Sequence, residues 1–356
     1  MTKKDRLLAA MDADIDGIFV TSELNQYYLT GFSFTDGYVL VTRKKSYVIT
    51  DFRYIEAAQA KIGDEFEIIM PSDARLEIMA LLGENGVKKM YFEDNTLSCA
   101  DYLRFSELFE GVELVRGGSG VIEAQRERKT ADELELMARA QAITDEAFAH
   151  ILKFIKPEMT ELEVALELEF FMRSRGAQSV AFDTIAVSGK SSSLPHGVPE
   201  NRKLERGFFT MDFGARLDGY CSDMTRTVVL GKADAEMKKL YATVLEAQMA
   251  GIEMINLGES CFAVDKAARD IIEGAGYKGC FGHGLGHGVG MFIHESPRLS
   301  PKVSPDKKLE AGHGVTCEPG IYIAGKYGCR IEDMLAVTEN GRIDFTKSPK
   351  ELIELF

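Results

Sequence analysis

Five residues in the last two-fifths of the chain have side chains that could together bind a pair of metal ions. Four are carboxylates and one is an imidazole: Asp212, Asp223, His287, Glu318 and Glu332. An oxygen-rich ligand set with a single nitrogen suits Mn²⁺, Co²⁺ or Zn²⁺ better than a thiolate site would. Two such ions close together can activate a bridging water and polarise a carbonyl group. These residue types therefore indicate hydrolytic chemistry.

Two of the acids are predicted to lie on one β-hairpin. Residues 209–230 consist of an apolar strand, a polar turn at 217–219 and a second apolar strand. Asp212 and Asp223 fall on opposing arms, where side chains on one face are about 5 Å apart. Two carboxylates that close repel each other unless they are protonated or bridged by cations. The pattern therefore favours a metal over two unrelated surface acids.

Five of the six histidines lie at or after position 196, in the part of the chain that holds the acids. His283 and His287 flank a Gly-Leu-Gly segment, and such glycines let backbone and side chains crowd against a ligand. His196 and His294 lie on either side of that segment in the sequence. Any one of these histidines alone would more often be a structural residue. Their order among the acids makes them candidate site residues.

Composition limits the classes of protein that this chain can be. Its 356 residues predict two domains, and a net charge of -14 argues against a nucleic-acid partner, which would need a basic patch. No run of about 18 apolar residues predicts a membrane span, and the polar N-terminus has no signal-peptide core. The six scattered cysteines are typical of reduced thiols in a cytoplasmic protein.

The predicted elements form a mixed α/β (α+β) protein with a domain boundary at 122/123. Residues 1–122 alternate short apolar strands with helices and predict a small α/β domain, after which a glycine-rich segment at 117–120 interrupts the chain. In residues 123–356, Thr130 with Glu133 is a capping box that begins a long helix. Thr160 repeats the signal. A helix pair, strands, a second helix pair and more strands predict two similar halves on one antiparallel sheet.

Seven motifs carry a resemblance to a known family. In chain order they are LPHG (194–197), MDFGA (211–215), YCSDMTRT (220–227), GHGLGHGVG (282–290), IHESP (293–297), EPGIY (318–322) and RIED (330–333). The ordered set resembles the pita-bread metallopeptidases, and within them the proline-specific branch of Xaa-Pro dipeptidase (prolidase) and aminopeptidase P. Residues 25–32 and 50–54 are similar to the smaller creatinase-type N-domain of that branch. The resemblance implies a catalytic domain of two pseudo-symmetric halves on a curved antiparallel sheet.

The resemblance also implies roles for individual residues. Asp212 would bind one metal ion, Asp223 and Glu332 would bridge both ions, and His287 with Glu318 would complete the second site. Two divalent ions are expected per subunit, with Mn²⁺ preferred over Co²⁺ or Zn²⁺. Three residues are assigned to catalysis and two to substrate binding: His196, His294 and Glu318, then His283 and Arg330. For Arg330 the sequence leaves two roles open, because it could orient carboxylates or receive the carboxylate of the substrate.

Expected partners are a proline-containing di- or oligopeptide and a second copy of the chain. The family usually forms homodimers in which N-domain segments approach the partner's site, and residues 25–32 are the candidate segment. The alternative is that the tyrosines of this segment belong to the core of their own domain.

Several other activities remain open at this stage. Xaa-Pro dipeptidase is preferred, and aminopeptidase P acting on longer peptides is the alternative. Methionine aminopeptidase shares the five ligands, although its usual form lacks a creatinase-type N-domain. Creatinase, a non-catalytic binding relative and a carboxylate-rich phosphatase are further alternatives, of which the first is disfavoured by the intact carboxylates.

Overall fold

The computed structural model describes residues 1–356, which divide into two units at Met1–Arg126 and Glu127–Phe356. The N-terminal unit contains a six-stranded mixed sheet in the order β4-β3-β2-β1-β5-β6. Its strands are β1 Gly17–Val20, β2 Gly37–Thr42, β3 Ser46–Thr50, β4 Glu67–Ile69, β5 Lys89–Phe92 and β6 Glu113–Val115. Its helices are α1 Lys3–Ala10, α2 Glu23–Thr30, α3 Ile55–Lys61, α4 Ala74–Asn85, α5 Cys99–Leu108 and α6 Gly118–Glu127.

The candidate partner-contacting segment is largely buried within the N-terminal unit. The Asn25 amide donates to the Glu93 carboxylate at 2.6 Å, and Tyr28 is 1% exposed. Phe32 is also buried. Tyr28 therefore belongs to the core of its own domain, whereas Tyr27 is only partly buried.

The glycine-rich segment after residue 117 forms a helix instead of a linker. Helix α6 spans Gly118–Glu127, and the boundary expected at 122/123 lies inside it. The Cβ of any residue at Gly118 would lie 2.4 Å from the Phe92 carbonyl oxygen. A glycine here thus serves close packing of α6 on β5, which a pattern of turn residues does not reveal.

Two helix pairs begin the two halves of the C-terminal unit. They are α7 Ala131–Phe154 with α8 Glu161–Ser174, and α9 Ala235–Met254 with α10 Cys261–Ile272. Both predicted capping boxes are present, at Thr130 and at Thr160. Isolated bridges join Thr160 to Lys203 and Ser260 to Lys308, so the start of the second helix is tied down in the same way in each half. This repeat confirms the predicted pseudo-symmetry at the level of single hydrogen bonds.

Strands follow each helix pair. In the first half they are β7 Ser179–Val180, β8 Ile185–Ser188, β9 Gly207–Phe213, β10 Ala215–Leu217, β11 Tyr220–Cys221 and β12 Met224–Leu230. In the second half they are β13 Gly286–Gly288, β14 Glu295–Leu299, β15 Gly314–Cys317, β16 Gly320–Ile323, β17 Tyr327–Arg330, β18 Asp333–Thr338, β19 Gly341–Asp344 and β20 Glu354–Leu355. Pairing is antiparallel except where β20 joins β12, and the ladders divide into four smaller sheets.

The two halves join where β12 meets the start of β18. The Glu332 N–H donates to the Thr225 carbonyl at 3.1 Å. The fully buried Arg226 guanidinium donates to the Glu332 carbonyl at 2.6 Å and pairs with Asp333 at 2.8 Å. A buried charge is tolerated only when it is paired and hydrogen-bonded, and Arg226 meets both conditions. These bonds hold one predicted ligand from each half close to this junction.

No helix in the structure combines the length and the apolar character needed to cross a membrane.

Candidate metal centre

The first half supplies two carboxylates from one antiparallel pair. Asp212 lies in β9 and is opposite Thr225 of β12, while Asp223 lies one residue before β12 begins. The hairpin pattern had indicated a direct cross-strand pair. In the structure the two acids are instead diagonal neighbours. Side chains two positions apart along a strand share a face, so both still point to one side. The predicted turn is present, with positive φ at Asp218 and Gly219.

The second half supplies the other two carboxylates in a related way. Glu318 follows directly after β15, and Glu332 immediately precedes β18, the strand that pairs with β15. Asp223 and Glu332 thus occupy the same position, one residue before the second strand of each pair. Pseudo-symmetry therefore brings together a carboxylate from each half.

His287 lies on the short strand β13, and its ring has a defined tautomer. Its Nδ1 is 3.1 Å from the Gly288 carbonyl, and because a carbonyl can only accept, Nδ1 carries the proton. The unprotonated Nε2 is 3.5 Å from an Asp223 oxygen and 3.4 Å from a Glu318 oxygen. Ligand atoms of Asp223, His287 and Glu332 lie within 4.8 Å of one another. A lone pair directed at two carboxylates is the arrangement that a shared cation would satisfy.

Without cations this cluster of charges is unfavourable. Burial, followed by the nearby Glu332, Asp212 and Glu318 carboxylates, raises the pKa of Asp223 well above its usual value. Burial and the neighbouring acids likewise raise the pKa of Glu332, and burial raises the pKa of Glu318 to about 8. The pKa of His287 falls to about 3, chiefly through burial, so the ring stays neutral.

One buried oxygen in the cluster has no hydrogen-bond partner. It is Oδ1 of Asp212, whose other oxygen accepts from Arg330. An unsatisfied buried polar atom is costly, so it points to a missing ligand. Together with the oxygen-rich donor set and the neutral imidazole, this oxygen fits the binding of divalent cations at the cluster.

Arg330 uses its donors on the protein. Its guanidinium donates to Asp212 at 2.7 Å, to the Thr225 hydroxyl at 2.9 Å and to the Tyr322 hydroxyl at 2.8 Å. A further bond reaches the Pro195 carbonyl. Of the two roles that the sequence left open, the geometry supports the orientation of carboxylates.

His283 is linked to Arg330 through Tyr322. Its Nδ1 is 2.8 Å from the Gly284 carbonyl and therefore carries the proton, so Nε2 accepts from the Tyr322 hydroxyl at 3.0 Å. Burial and the Arg330 charge lower the pKa of His283 to about 4, which keeps the ring neutral. His283 thus lines the site as part of a fixed hydrogen-bond network.

A cavity of about 660 Å³ opens onto the predicted metal ligands. It brings together every residue predicted for the site: His196, Asp212, Asp223, His283, His287, His294, Glu318, Arg330 and Glu332. The His294 ring lies 4.5 Å from the His287 ring, centroid to centroid. Burial and the charge of Arg298 lower the pKa of His294 and so favour its neutral form. A neutral imidazole retains one N–H group that can donate a hydrogen bond.

Sequence reasoning missed several residues that shape the site. Arg298 and Lys302 line the cavity, and neither side chain has an ion pair or hydrogen bond in the structure. Tyr322 and Thr225 lie inside matched motifs, but only the fold reveals their hydrogen bonds. Arginine and lysine are common on any surface, and the one available signal for Arg298 was its closeness to His294 in the sequence.

Comparison with known proteins identifies the family. Residues 135–339 match the model of metallopeptidase family M24, and residues 3–128 match the creatinase/prolidase N-terminal domain. The chain belongs to family M24. The pita-bread catalytic domain, the creatinase-type N-domain and the assignment to the metallopeptidases are thereby confirmed, and the protein is a hydrolase.

Solved structures and curated sequences of this family resemble the chain over its whole length. The Xaa-Pro dipeptidase from Bacillus anthracis is 44% identical, with 99% of both chains covered and a TM-score of 0.95. The X-Pro aminopeptidase from Thermotoga maritima MSB8 is 31% identical, with 99% of this chain and 100% of that chain covered and a TM-score of 0.92. The Xaa-Pro dipeptidase of Pyrococcus furiosus is 35% identical over 364 residues, covering 98% of this chain and 99% of the relative.

Proposed function

We propose that this M24 peptidase is an Xaa-Pro dipeptidase, which hydrolyses the peptide bond before proline in dipeptides. The observation that carries the proposal is the unpaired guanidinium of Arg298 in the same cavity as the five metal-binding residues. A dipeptide presents its free carboxylate close to the scissile bond, and a cation nearby would bind it. Two of the relatives described above bear the name Xaa-Pro dipeptidase.

The position of Arg298 supports this role. Arg298 lies in β14 directly opposite His287 of β13, so it belongs to the second-half side of the cavity. Asp212 lies on the first-half side, in register with Ile185, and Asp183 nearby also lines the cavity. Asp212 and Asp183 could meet the amine end of a dipeptide, and the cationic Arg298 could meet its carboxylate end.

The proposed metal complement is two divalent ions, with Mn²⁺ as the native metal. Asp212, Asp223, His287, Glu318 and Glu332 would hold them. When bound, the ions would supply an activated water and a Lewis acid for the scissile carbonyl. Carboxylate-rich ligand sets suit Mn²⁺, whereas thiolates, which select softer metals, do not take part.

The remaining steps fall to the residues of the chain. Asp212 would bind the α-amine of the substrate. Arg330 holds the Asp212 carboxylate in place. The rings of His196 and His294 would donate hydrogen bonds to the carbonyl oxygen as negative charge develops on it. Glu318 would accept the proton of the attacking water and pass it to the proline nitrogen, which must be protonated to leave.

Aminopeptidase P activity is the alternative, since the similar Thermotoga maritima protein is named an X-Pro aminopeptidase. It would require the Arg298 side of the cavity to admit a chain beyond proline. Methionine aminopeptidase is disfavoured by the matched creatinase/prolidase N-terminal domain.

A direct assay tests the proposal. Metal-stripped protein is resupplied with Mn²⁺, Co²⁺ or Zn²⁺ and given a Xaa-Pro dipeptide or a Xaa-Pro-Yaa tripeptide. Cleavage of the dipeptide alone is expected, with Mn²⁺ most effective. Conversion of the tripeptide to Xaa and Pro-Yaa would establish the aminopeptidase instead, and no cleavage of either would refute both.

We also propose that the protein is a cytoplasmic homodimer. All six cysteines are free thiols, and four of them are buried, which fits a reducing compartment. Sedimentation equilibrium should give twice the mass of 39.4 kDa, and a monomer at micromolar concentration would contradict the dimer.

A further inference from the structure

We propose that the hydroxyl groups of Thr225 and Thr316 position the carboxylates of Glu332 and Glu318, two of the proposed metal ligands, and that Thr225 thereby affects the affinity for both ions and Thr316 the affinity for one. The inference rests on the proposed metal-dependent function, but it concerns two side chains that bind no metal themselves. Both threonines are fully buried.

Thr225 has one arrangement of hydrogen bonds available to it. Its Oγ1 accepts from Nε of Arg330 at 2.9 Å and lies 2.6 Å from Oε2 of Glu332. Arginine can only donate, so the single hydroxyl proton is free to point at the carboxylate. The main-chain carbonyl of Thr225 also accepts the Glu332 N–H. Thr225 therefore fixes both the backbone and one oxygen of Glu332.

Thr316 repeats this arrangement on the other side of the cluster. Its Oγ1 accepts the His287 N–H at 3.1 Å and lies 3.3 Å from Oε1 of Glu318. Here a backbone N–H is the donor in place of an arginine, so the hydroxyl proton again points at the carboxylate. Thr316 thus ties together the two residues that are assigned to the second ion.

The two threonines should differ in what they control. Glu332 is assigned as a bridge between both ions, whereas Glu318 and His287 serve one. Loss of the Thr225 hydroxyl should weaken both binding events, and loss of the Thr316 hydroxyl should weaken one. Removal of such an outer hydrogen bond typically lowers metal affinity by about 10–100-fold.

The test is a calorimetric titration of Mn²⁺ into the metal-free full-length chain. Thr225→Val should show both binding steps weakened by about 10–100-fold, and Thr316→Val should show one step weakened with the other unchanged. Thr225→Ser and Thr316→Ser keep the hydroxyl and should bind as the wild type does. Thr243→Val is the matched control, because buried Thr243 donates only to the Lys239 carbonyl of its own helix.

The outcomes separate this inference from the proposed function. Wild-type protein that binds fewer than two ions would refute the dinuclear function itself. Wild-type protein that binds two ions, with valine variants that bind equally well, would overturn only the positioning role, as would serine variants as weak as the valine variants. Circular dichroism checks folding, and Thr225→Ala replaces Thr225→Val if the valine variant is unfolded.

Discussion

Arg298 is the residue whose substitution best distinguishes the proposed activity. A charge-assisted hydrogen bond contributes about 1.5–3 kcal/mol, so Arg298→Ala should lower kcat/KM for a Xaa-Pro dipeptide by roughly 10–100-fold. The loss should appear mainly in KM, because a carboxylate that takes no part in bond cleavage is bound equally in ground and transition states. Steady-state kinetics on a Xaa-Pro dipeptide and on its C-terminal amide measure it.

The exposed Arg116 of the N-terminal unit provides the control, since it pairs only with Asp94. Arg116→Ala should leave both constants unchanged. Equal losses in Arg298→Ala for the dipeptide and for its C-terminal amide, which lacks the carboxylate, would contradict a role in capturing the carboxylate of a dipeptide.

Substitution of Asp223 should stabilise the metal-free protein but abolish the activity of the metal-loaded protein. Asp223 is buried among three other carboxylates, so the metal-free fold carries repulsion that a neutral amide would relieve. Asp223→Asn should therefore raise the free energy of unfolding of the chelated protein by about 0.5–2 kcal/mol and abolish activity. Urea denaturation with and without Mn²⁺ measures both effects, and a destabilised chelated variant would show that the carboxylate is compensated by something other than a metal.

At the scale of secondary structure, the strand that carries His287 depends on the absence of side chains beside it. A Cβ at Gly286 would lie 2.0 Å from the Thr316 carbonyl oxygen, in the strand that packs against β13. Gly286→Ala should destabilise the protein by about 1–3 kcal/mol and weaken Mn²⁺ binding, because β13 must move.

Gly282 lies four residues earlier and gives a matched comparison. A Cβ there would meet no atom within 4 Å, so Gly282→Ala should leave stability unchanged or raise it slightly. Thermal unfolding and Mn²⁺ titration of both variants test the pair, and equal effects would mean that local backbone freedom matters more than packing.

Local patterns predicted the elements that have strong local signals. Capping boxes located α7 and α8, short apolar runs predicted the strands of the N-terminal unit, and the hairpin turn was found at Asp218. Elements without such signals were missed, among them the three-residue strand β13, which contains two glycines and one histidine. Its pairing with β14 and β15 comes from contacts distant in the sequence, which no local pattern contains.

For the site, too, the sequence predicted what depends on local motifs and missed what depends on tertiary contacts. Ligand identities were predicted because metal chemistry restricts residue types and the motifs fix their order. The diagonal relation of Asp212 to Asp223 depends on strand register, and the bonds of Arg330 to Thr225 and Tyr322 depend on how three strands meet. Such relations require the tertiary structure.

For the molecule as a whole, acid should destabilise the fold through His313. This histidine is fully buried, and burial followed by the charges of Lys307, Lys129 and Arg128 lowers its pKa to about 4, against the opposing effect of Glu127. The Glu310 N–H donates to its Nδ1, which is possible only for the neutral ring. Below pH 6.5 the unfolded chain gains a proton that the folded chain does not take up until about pH 4. Stability that is present above pH 6.5 is therefore lost as the pH falls to 4, by about 3 kcal/mol.

His313→Asn should show a flatter dependence on pH over that window, even if it is less stable at pH 8. Urea unfolding of both proteins, stripped of metal and measured at several pH values, gives the slopes. Parallel slopes for the two proteins would assign the acid sensitivity to other groups.

The arrangement of the ligands also has a kinetic consequence. Thr225 and Glu332, which join the two halves, are 107 positions apart in the chain, and each half contributes two carboxylates. Contacts so distant in sequence form late, after both halves have folded and docked. Bound ions should therefore lower the unfolding rate and leave the folding rate almost unchanged. In stopped-flow experiments, Mn²⁺ is expected to slow unfolding many-fold while refolding proceeds at the rate of the metal-free chain, so that the loaded enzyme owes its lifetime to a high barrier to unfolding.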